Sequence, residues 1–173
     1  MKSYRPYTKS RRHMTNVSFR GVLTTNEPTK SLTKGFKRSV GRNNLGRVTT
    51  RHKGGGHKRL FRDVDFNYSK KDIPAKIASV EYDPNRSGFI GLAVYKDGEK
   101  KYVLIPKSVK VGDTFVVSEK TDVKPGNRMM LKNIPVGGFV FNIEIKNNGG
   151  AKLARSAGIY AEVVAQDLSL IHI

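Results

Sequence analysis

Positive charge and apolar residues are divided unevenly along the chain, and this division limits which part can build a core. Residues 1–62 contain 17 Lys and Arg against one acid, Glu27, for a net charge of +16. They hold only 11 Leu, Ile, Val or Phe, below the roughly one-fifth at which a highly charged segment buries enough apolar surface to order itself. We therefore predict that residues 1–62 form an extended basic arm without structure of its own.

The rest of the chain has the composition of a folded domain. Residues 63–173 carry 16 basic residues against 13 acids, and 30 of the 105 residues from 63 to 167 are Leu, Ile, Val or Phe. Short segments rich in β-branched and aromatic residues predict strands, and Asp97-Gly98 between two of them is a strong hairpin signal. These segments are Ala75–Tyr82, Phe89–Tyr95, Lys101–Ile105 and Thr114–Ser118.

A second set of strand patterns follows the turn sequence Lys124-Pro125-Gly126-Asn127. It includes residues 127–131, 138–145 and 159–165, and no window of eleven or more residues has clean helical periodicity. The sequence therefore predicts an all-β protein with two small units of barrel size in series, residues 63–123 and 124–167.

Several classes of protein are disfavoured by composition. The chain has no cysteine, so it offers no disulfide, catalytic thiol or Cys-based zinc site. No run of eighteen apolar residues exists, and the N-terminus lacks the apolar centre of a signal peptide. Pro6 and scattered apolar residues also give no amphipathic helix of the transit-peptide kind. We expect no membrane partner and no secretion.

The stretch Gly41–Leu60 is basic and glycine-rich, which invites a phosphate-loop interpretation. However, Gly54–Gly56 and Lys58 do not match the required spacing of Gly, four residues, then Gly-Lys-Ser/Thr. His52 and His57 have no nearby acids before Asp63 and no third ligand. We therefore expect no nucleotide site, no metal, no cofactor, no small-molecule substrate and no enzymatic activity.

The same stretch suits folded RNA. Arginine can hold a phosphate with two donors, glycine lets the backbone approach closely, and Asn, Thr and His can bond 2′-hydroxyls and base edges. Two alternatives stay open: a free-standing single-strand binder or RNA chaperone, and a metal-assisted nuclease or phosphatase using His52, His57 and Asp63.

Five long motifs run in order across the chain: YRPYTKSRRHMT (4–15), GRNNLGRVTTRHKGGGHKRLFRDVDF (41–66), IPAKIASVEYDPNRSGFIGL (73–92), KPGNRMMLKNIPVGGFVFNIE (124–144) and KLARSAGIYAEVVA (152–165). Together they resemble the bacterial type of the ribosomal protein L2 family, the second protein of the large subunit. The resemblance implies an extended arm (1–62), an OB-like barrel (63–123) and an incomplete SH3-like barrel (124–167). It also implies binding to large-subunit rRNA near the peptidyl-transferase region, with neighbouring ribosomal proteins and the small subunit as partners, in the cytoplasmic ribosome.

The resemblance also implies which residues touch rRNA. The positions that match the family's contacts lie in the arm and in two barrel loops, YDPNRS and LARSAG. They are Arg42, Asn43, Asn44, Arg47, Thr50, Arg51, His52, Gly54, Gly55, Gly56, His57, Lys58, Arg59, Asn85, Arg86, Ser87, Arg155, Ser156 and Gly158.

The chain departs from the family pattern at three places. Phe141 stands where the family usually has His, so a polar rRNA contact is not expected there, and Gly138 stands where Thr or Ser is common. The ending LSLIHI (168–173) does not fit the family's continuation and is expected to be non-native read-through, with native sequence ending near Asp167.

Overall fold

The computed structural model describes residues 1–35 and 38–166, and its regular structure is almost entirely β, which confirms the predicted fold class. Its strands and its one α-helix are β1 (Lys2–Ser3), α1 (Lys9–Arg12), β2 (Thr15–Asn16), β3 (Thr33–Gly35), β4 (Leu60–Arg62), β5 (Ala75–Glu81), β6 (Ile90–Tyr95), β7 (Lys100–Leu104), β8 (Thr114–Phe115), β9 (Phe139–Val140), β10 (Ile143–Glu144), β11 (Ala151–Leu153) and β12 (Ala161–Glu162). Short 3-10 turns lie at Lys30–Leu32 and Leu131–Asn133. Within the described residues, no helix is long and apolar enough to cross a membrane.

The largest sheet is antiparallel with the order β7-β6-β5-β8, and it curls into half of a barrel. The pairing of β5 with β6 shifts register between Ile77 and Ser79, and such bulges increase strand bending and twist. The predicted hairpin turn joins β6 to β7: Gly98 has a φ of +86° and its N–H donates to the Tyr95 carbonyl at 2.9 Å. Glycine tolerates this φ because it has no Cβ.

In the described residues, most buried apolar side chains fall into two clusters. The larger one contains Tyr68, Ala75, Ile77, Ala93, Tyr95, Val103, Phe115 and Val117, and the smaller one contains Val64, Ile90, Tyr102 and Leu104. A buried carboxylate, Glu81, accepts hydrogen bonds from Ser79 at 2.8 Å and from the Tyr102 hydroxyl at 2.6 Å. Both carboxylate oxygens therefore have partners, as burial of a charge requires.

Part of the basic N-terminal segment lies against the sheet. The Thr24 hydroxyl accepts from the Val80 N–H at 2.9 Å, and the Thr24 N–H donates to the Val80 carbonyl at 3.1 Å. The Thr29 N–H donates to the Tyr102 hydroxyl at 2.8 Å, Leu32 packs against the smaller cluster, and β3 pairs with β4. The basic N-terminal segment is therefore not fully extended away from the sheet. Some of its apolar side chains and backbone groups find partners on the sheet, which the segment by itself lacks.

The C-terminal part is built from short strand pairs, β9 with β12 and β10 with β11. Gly126, at φ +95°, forms the predicted turn, in which the Asn127 N–H donates to the Lys124 carbonyl at 3.1 Å. The strand predicted over residues 138–145 is divided, because Asn142 has a φ of +55° between β9 and β10. The domain limits 63–123 and 124–167, and the OB-like and SH3-like names, remain predictions. The predicted read-through at 168–173 lies outside the described residues.

Candidate nucleic-acid interface

The basic stretch contains a small hydrogen-bonded hairpin. Arg42 and Val48 form an antiparallel bridge, the Asn43 N–H donates to the Arg47 carbonyl at 3.0 Å, and the Arg47 N–H donates to Asn43 Oδ1 at 2.9 Å. The N–H groups of Thr49 and Thr50 both donate to the Gly41 carbonyl. We expected this stretch to have no structure of its own, but the structure contains a local hairpin there. The count of apolar residues does not register the hydrogen bonds that the Asn43 side chain and the turn residues supply.

Gly41 makes this hairpin possible. It has a φ of +73°, and a Cβ there would lie 2.5 Å from the Thr50 carbonyl oxygen. Any other residue would have to displace backbone, so the glycine is required here by both conformation and space.

Three consecutive glycines follow the hairpin, and Arg38 holds one side of them. Its Nη2 donates to the carbonyls of Gly55 at 3.2 Å and His57 at 3.4 Å, and a Cβ at Gly56 would lie 2.7 Å from the same nitrogen. A Cβ at Gly54 or Gly55 would meet nothing within 4 Å. The backbone at these two positions is therefore open to close approach by a partner. Sequence reasoning missed the role of Arg38, because one arginine in a basic arm carries no distinguishing signal.

The predicted contact residues between 42 and 59 are all exposed. His52 and His57 are among them, and the described residues contain no group of three or more His, Asp or Glu side chains placed to hold a metal ion. The geometry of the stretch fits a polyanion better than a metal, because it presents exposed cations and open backbone rather than converging ligands.

A second cluster joins the two predicted barrel loops. The Ser87 hydroxyl accepts from the Ala157 N–H at 3.1 Å. The guanidinium carbons of Arg86 and Arg155 lie 5.3 Å and 4.5 Å from the centroid of the Phe66 ring. We call Arg86 and Arg155 the arginine pair. The tertiary structure thus brings together two cations that are far apart in the sequence.

Asp83 organises the first of these loops. Its side chain is fully buried, and it accepts from Arg86 Nε, from the Asn85 N–H at 2.9 Å and from Asn85 Nδ2 at 3.1 Å. Asn85 Nδ2 also donates to the Leu60 carbonyl at 2.8 Å. The amide of Asn85 is therefore engaged inside the protein, and it links the loop to the end of the basic stretch.

Phe66 and Asp83 both belong to motifs that the sequence singled out, but neither was predicted as a site residue. Asp83 precedes Asn85 and Arg86 in the sequence at the spacing typical of an Asx turn, and this spacing could have indicated its role. Nothing local marked Phe66, because its two arginine partners come from distant loops.

Arg128 contacts a different aromatic ring and has an acidic partner of its own. It lies over the Tyr68 ring at 4.4 Å, pairs with Glu144 at 2.6 Å and donates to the Asn142 carbonyl at 3.0 Å. Burial raises the pKa of Tyr68 above its usual range, and the positive charge of Arg128 opposes part of that rise. Arg128 is thus committed to internal partners.

Phe141, where the family usually has His, packs against the smaller core cluster.

Two family profiles match the chain. "Ribosomal Proteins L2, RNA binding N-terminal domain" matches residues 29–118, and "Ribosomal Proteins L2, C-terminal domain" matches residues 124–173. The large ribosomal subunit protein uL2 of Endomicrobium trichonymphae is 47% identical over 173 residues, which is 100% of this chain and 62% of that protein. The chain thus spans less than two thirds of this curated relative. From these matches, together with the all-β structure, it follows that the chain belongs to the ribosomal protein L2 family.

Proposed function

We propose that the chain is an rRNA-binding structural component of the large ribosomal subunit and has no catalytic role. The observation that carries the proposal is the convergence of Arg86 and Arg155 on the Phe66 ring, beside a loop contact that joins their two segments. The matched family profile, described as RNA binding, covers residues 29–118 and supports the same function.

The exposed basic stretch supplies the larger part of the expected affinity. Between Gly41 and Leu60 the chain has six Lys and Arg, two His and no acid, and all these basic side chains are exposed. Each phosphate that such a cation neutralises releases counterions, which is a favourable and salt-dependent contribution to binding. The hairpin at residues 39–50 fixes part of this stretch, so less of it has to be ordered on binding.

The two zones are connected through the protein. Asn85, in the first barrel loop, bonds the carbonyl of Leu60 at the end of the basic stretch. An RNA that follows the stretch towards Leu60 therefore reaches the loop that carries Arg86. This continuity favours a folded RNA with several phosphate strands over an isolated single strand.

The finer assignment rests on the family resemblance. It comprises binding of large-subunit rRNA near the peptidyl-transferase region, contacts with neighbouring ribosomal proteins, support of subunit association and a place in the cytoplasmic ribosome. All 19 predicted contact residues belong to this proposal.

The dependence of rRNA binding on salt tests the proposal. About eight phosphate contacts predict a slope of about −6 to −7 when the logarithm of the association constant is plotted against the logarithm of salt concentration. The measurement is a filter-binding titration of the 173-residue chain with large-subunit rRNA at several salt concentrations. A flat response would contradict the proposal.

A competition experiment separates this function from that of a sequence-tolerant single-strand binder. Folded rRNA should displace labelled rRNA at far lower concentration than a poly-pyrimidine of equal nucleotide content. Equal competition would instead favour a binder that works by stacking bases on exposed aromatic rings.

A further inference from the structure

Two positive side chains share one aromatic ring. Arg86 follows β5 and Arg155 follows β11, and both guanidinium carbons lie within 5.3 Å of the Phe66 centroid. The negative face of an aromatic ring attracts a cation within about 6 Å of its centroid, so Phe66 attracts both guanidinium groups.

Phe66 is itself fixed in place. Its carbonyl accepts from the Ala151 N–H at 2.9 Å, which ties it to the first residue of β11. Its half-buried ring packs against the smaller core cluster. The ring is therefore a rigid support that contacts one loop after β5 and another after β11.

Each member of the arginine pair is held at one nitrogen. Arg86 donates through Nε to the buried Asp83, and Arg155 donates through Nη1 to the Ala151 carbonyl at 3.4 Å. A guanidinium has five N–H donors in a fixed plane, so donors remain on each for a further acceptor.

We propose that Phe66 is a positioning residue that holds Arg86 and Arg155 as one phosphate-binding unit for RNA. The inference rests on the proposed function, since it needs an RNA ligand. Phe66 does not touch the RNA in this arrangement. It acts by fixing two cations from different loops at one separation, so that both reach backbone phosphates of the same RNA segment.

The test compares Phe66→Leu with Phe66→Tyr in the 173-residue chain, using in vitro transcribed large-subunit rRNA as the probe. Phe66→Leu keeps apolar volume but removes the ring, and it should weaken binding about tenfold and lower the magnitude of the salt slope by about 1 to 2. Phe66→Tyr keeps the ring and should bind within about twofold of the unsubstituted chain. Phe139→Leu removes an exposed ring that packs against Tyr160, and serves as the matched control.

The outcomes distinguish the inference from the proposed function. If the unsubstituted chain binds rRNA with no steep salt dependence, the proposed function fails and the inference fails with it. If that chain binds as expected, and Arg86→Ala and Arg155→Ala each weaken binding while a folded Phe66→Leu does not, only the inference is overturned.

Thermal unfolding followed by circular dichroism checks that Phe66→Leu is folded. If it is not, a double-mutant cycle of Arg86→Ala and Arg155→Ala decides, because it leaves Phe66 in place. One phosphate-binding unit predicts that the double variant loses less affinity than the product of the two single losses. Strictly independent losses would show that the arginines act separately and would overturn the inference.

Discussion

The backbone N–H of Ala157 donates a 3.1 Å hydrogen bond to the hydroxyl of Ser87, which joins two loops separated by 70 residues of sequence. Each loop carries one arginine of the pair that lies over Phe66. The bond is exposed, so its net contribution to stability is small. Its main consequence is geometric, because it sets the distance between two predicted RNA-contact segments.

Replacing Ser87 with Ala removes the acceptor for the Ala157 N–H. We expect a loss of about 0.5–1 kcal/mol in the free energy of unfolding and a twofold to fivefold weaker affinity for rRNA. Urea unfolding and filter binding measure the two effects. Ser87→Thr keeps the hydroxyl and is the control; equal weakening in both variants would mean that the bond does not order the loops.

Three glycine substitutions separate backbone strain from steric conflict in the basic stretch. Gly41→Ala combines a φ of +73° with a 2.5 Å contact, Gly46→Ala has a φ of +79° but open space, and Gly54→Ala has neither problem. We expect rRNA affinity to fall most for Gly41→Ala, about tenfold, less for Gly46→Ala and little for Gly54→Ala. If Gly54→Ala had the lowest rRNA affinity of the three variants, the preformed hairpin would be contradicted.

Removing a cation and obstructing the backbone should weaken rRNA binding by different amounts. Arg51→Ala and Lys58→Ala should each weaken rRNA binding about twofold to fivefold and lower the magnitude of the salt slope by about 0.7 to 0.9. Gly55→Val should weaken it more, because Gly55 has a φ of +62° and an open face that added bulk would fill. Binding titrations at three salt concentrations provide both quantities, and negligible effects in all three variants would reduce the segment to a non-specific charged tail.

The stability of the sheet should fall at alkaline pH partly through Tyr95. Burial raises the pKa of Tyr95 from 10.0 to about 12, and its buried hydroxyl has no hydrogen-bond partner in the described structure. The folded state therefore keeps a proton that the unfolded state releases. The contribution is fully present below pH 10 and is lost as pH rises from 10 towards 12, by about 1.4 kcal/mol per pH unit.

Tyr95→Phe removes this titration together with the unpaired hydroxyl. We expect unchanged or slightly higher stability at pH 8, and a smaller decrease between pH 10 and 12 than in the unsubstituted chain. Urea unfolding across this range measures the difference, with the exposed Tyr160→Phe as control. Parallel pH profiles for Tyr95→Phe and the unsubstituted chain would contradict the assignment. Tyr68 and Tyr102, whose pKa values burial also raises, retain their own contributions in the variant.

Local sequence patterns were sufficient to predict the elements whose structure depends on residues close together in the chain. Short segments rich in β-branched and aromatic residues predicted β5, β6 and β7 nearly to their limits, and Asp97-Gly98 and Lys124–Asn127 form the predicted turns. Residues 138–145 were predicted as one strand and form two, because Asn142 takes a left-handed conformation that the apolar pattern does not reveal.

The sequence by itself determined the all-β class, the concentration of charge in the first 62 residues and the family, since these depend on composition, short-range periodicity and long motifs. Only the tertiary structure decided which cations act together. Arg86 and Arg155 meet at the Phe66 ring because the first residue of β11 bonds to the carbonyl of Phe66, whereas Arg128 lies over a different ring, Tyr68, and pairs with Glu144. Such contacts join residues far apart in the chain, and their geometry is set by packing of the whole sheet rather than by any local preference.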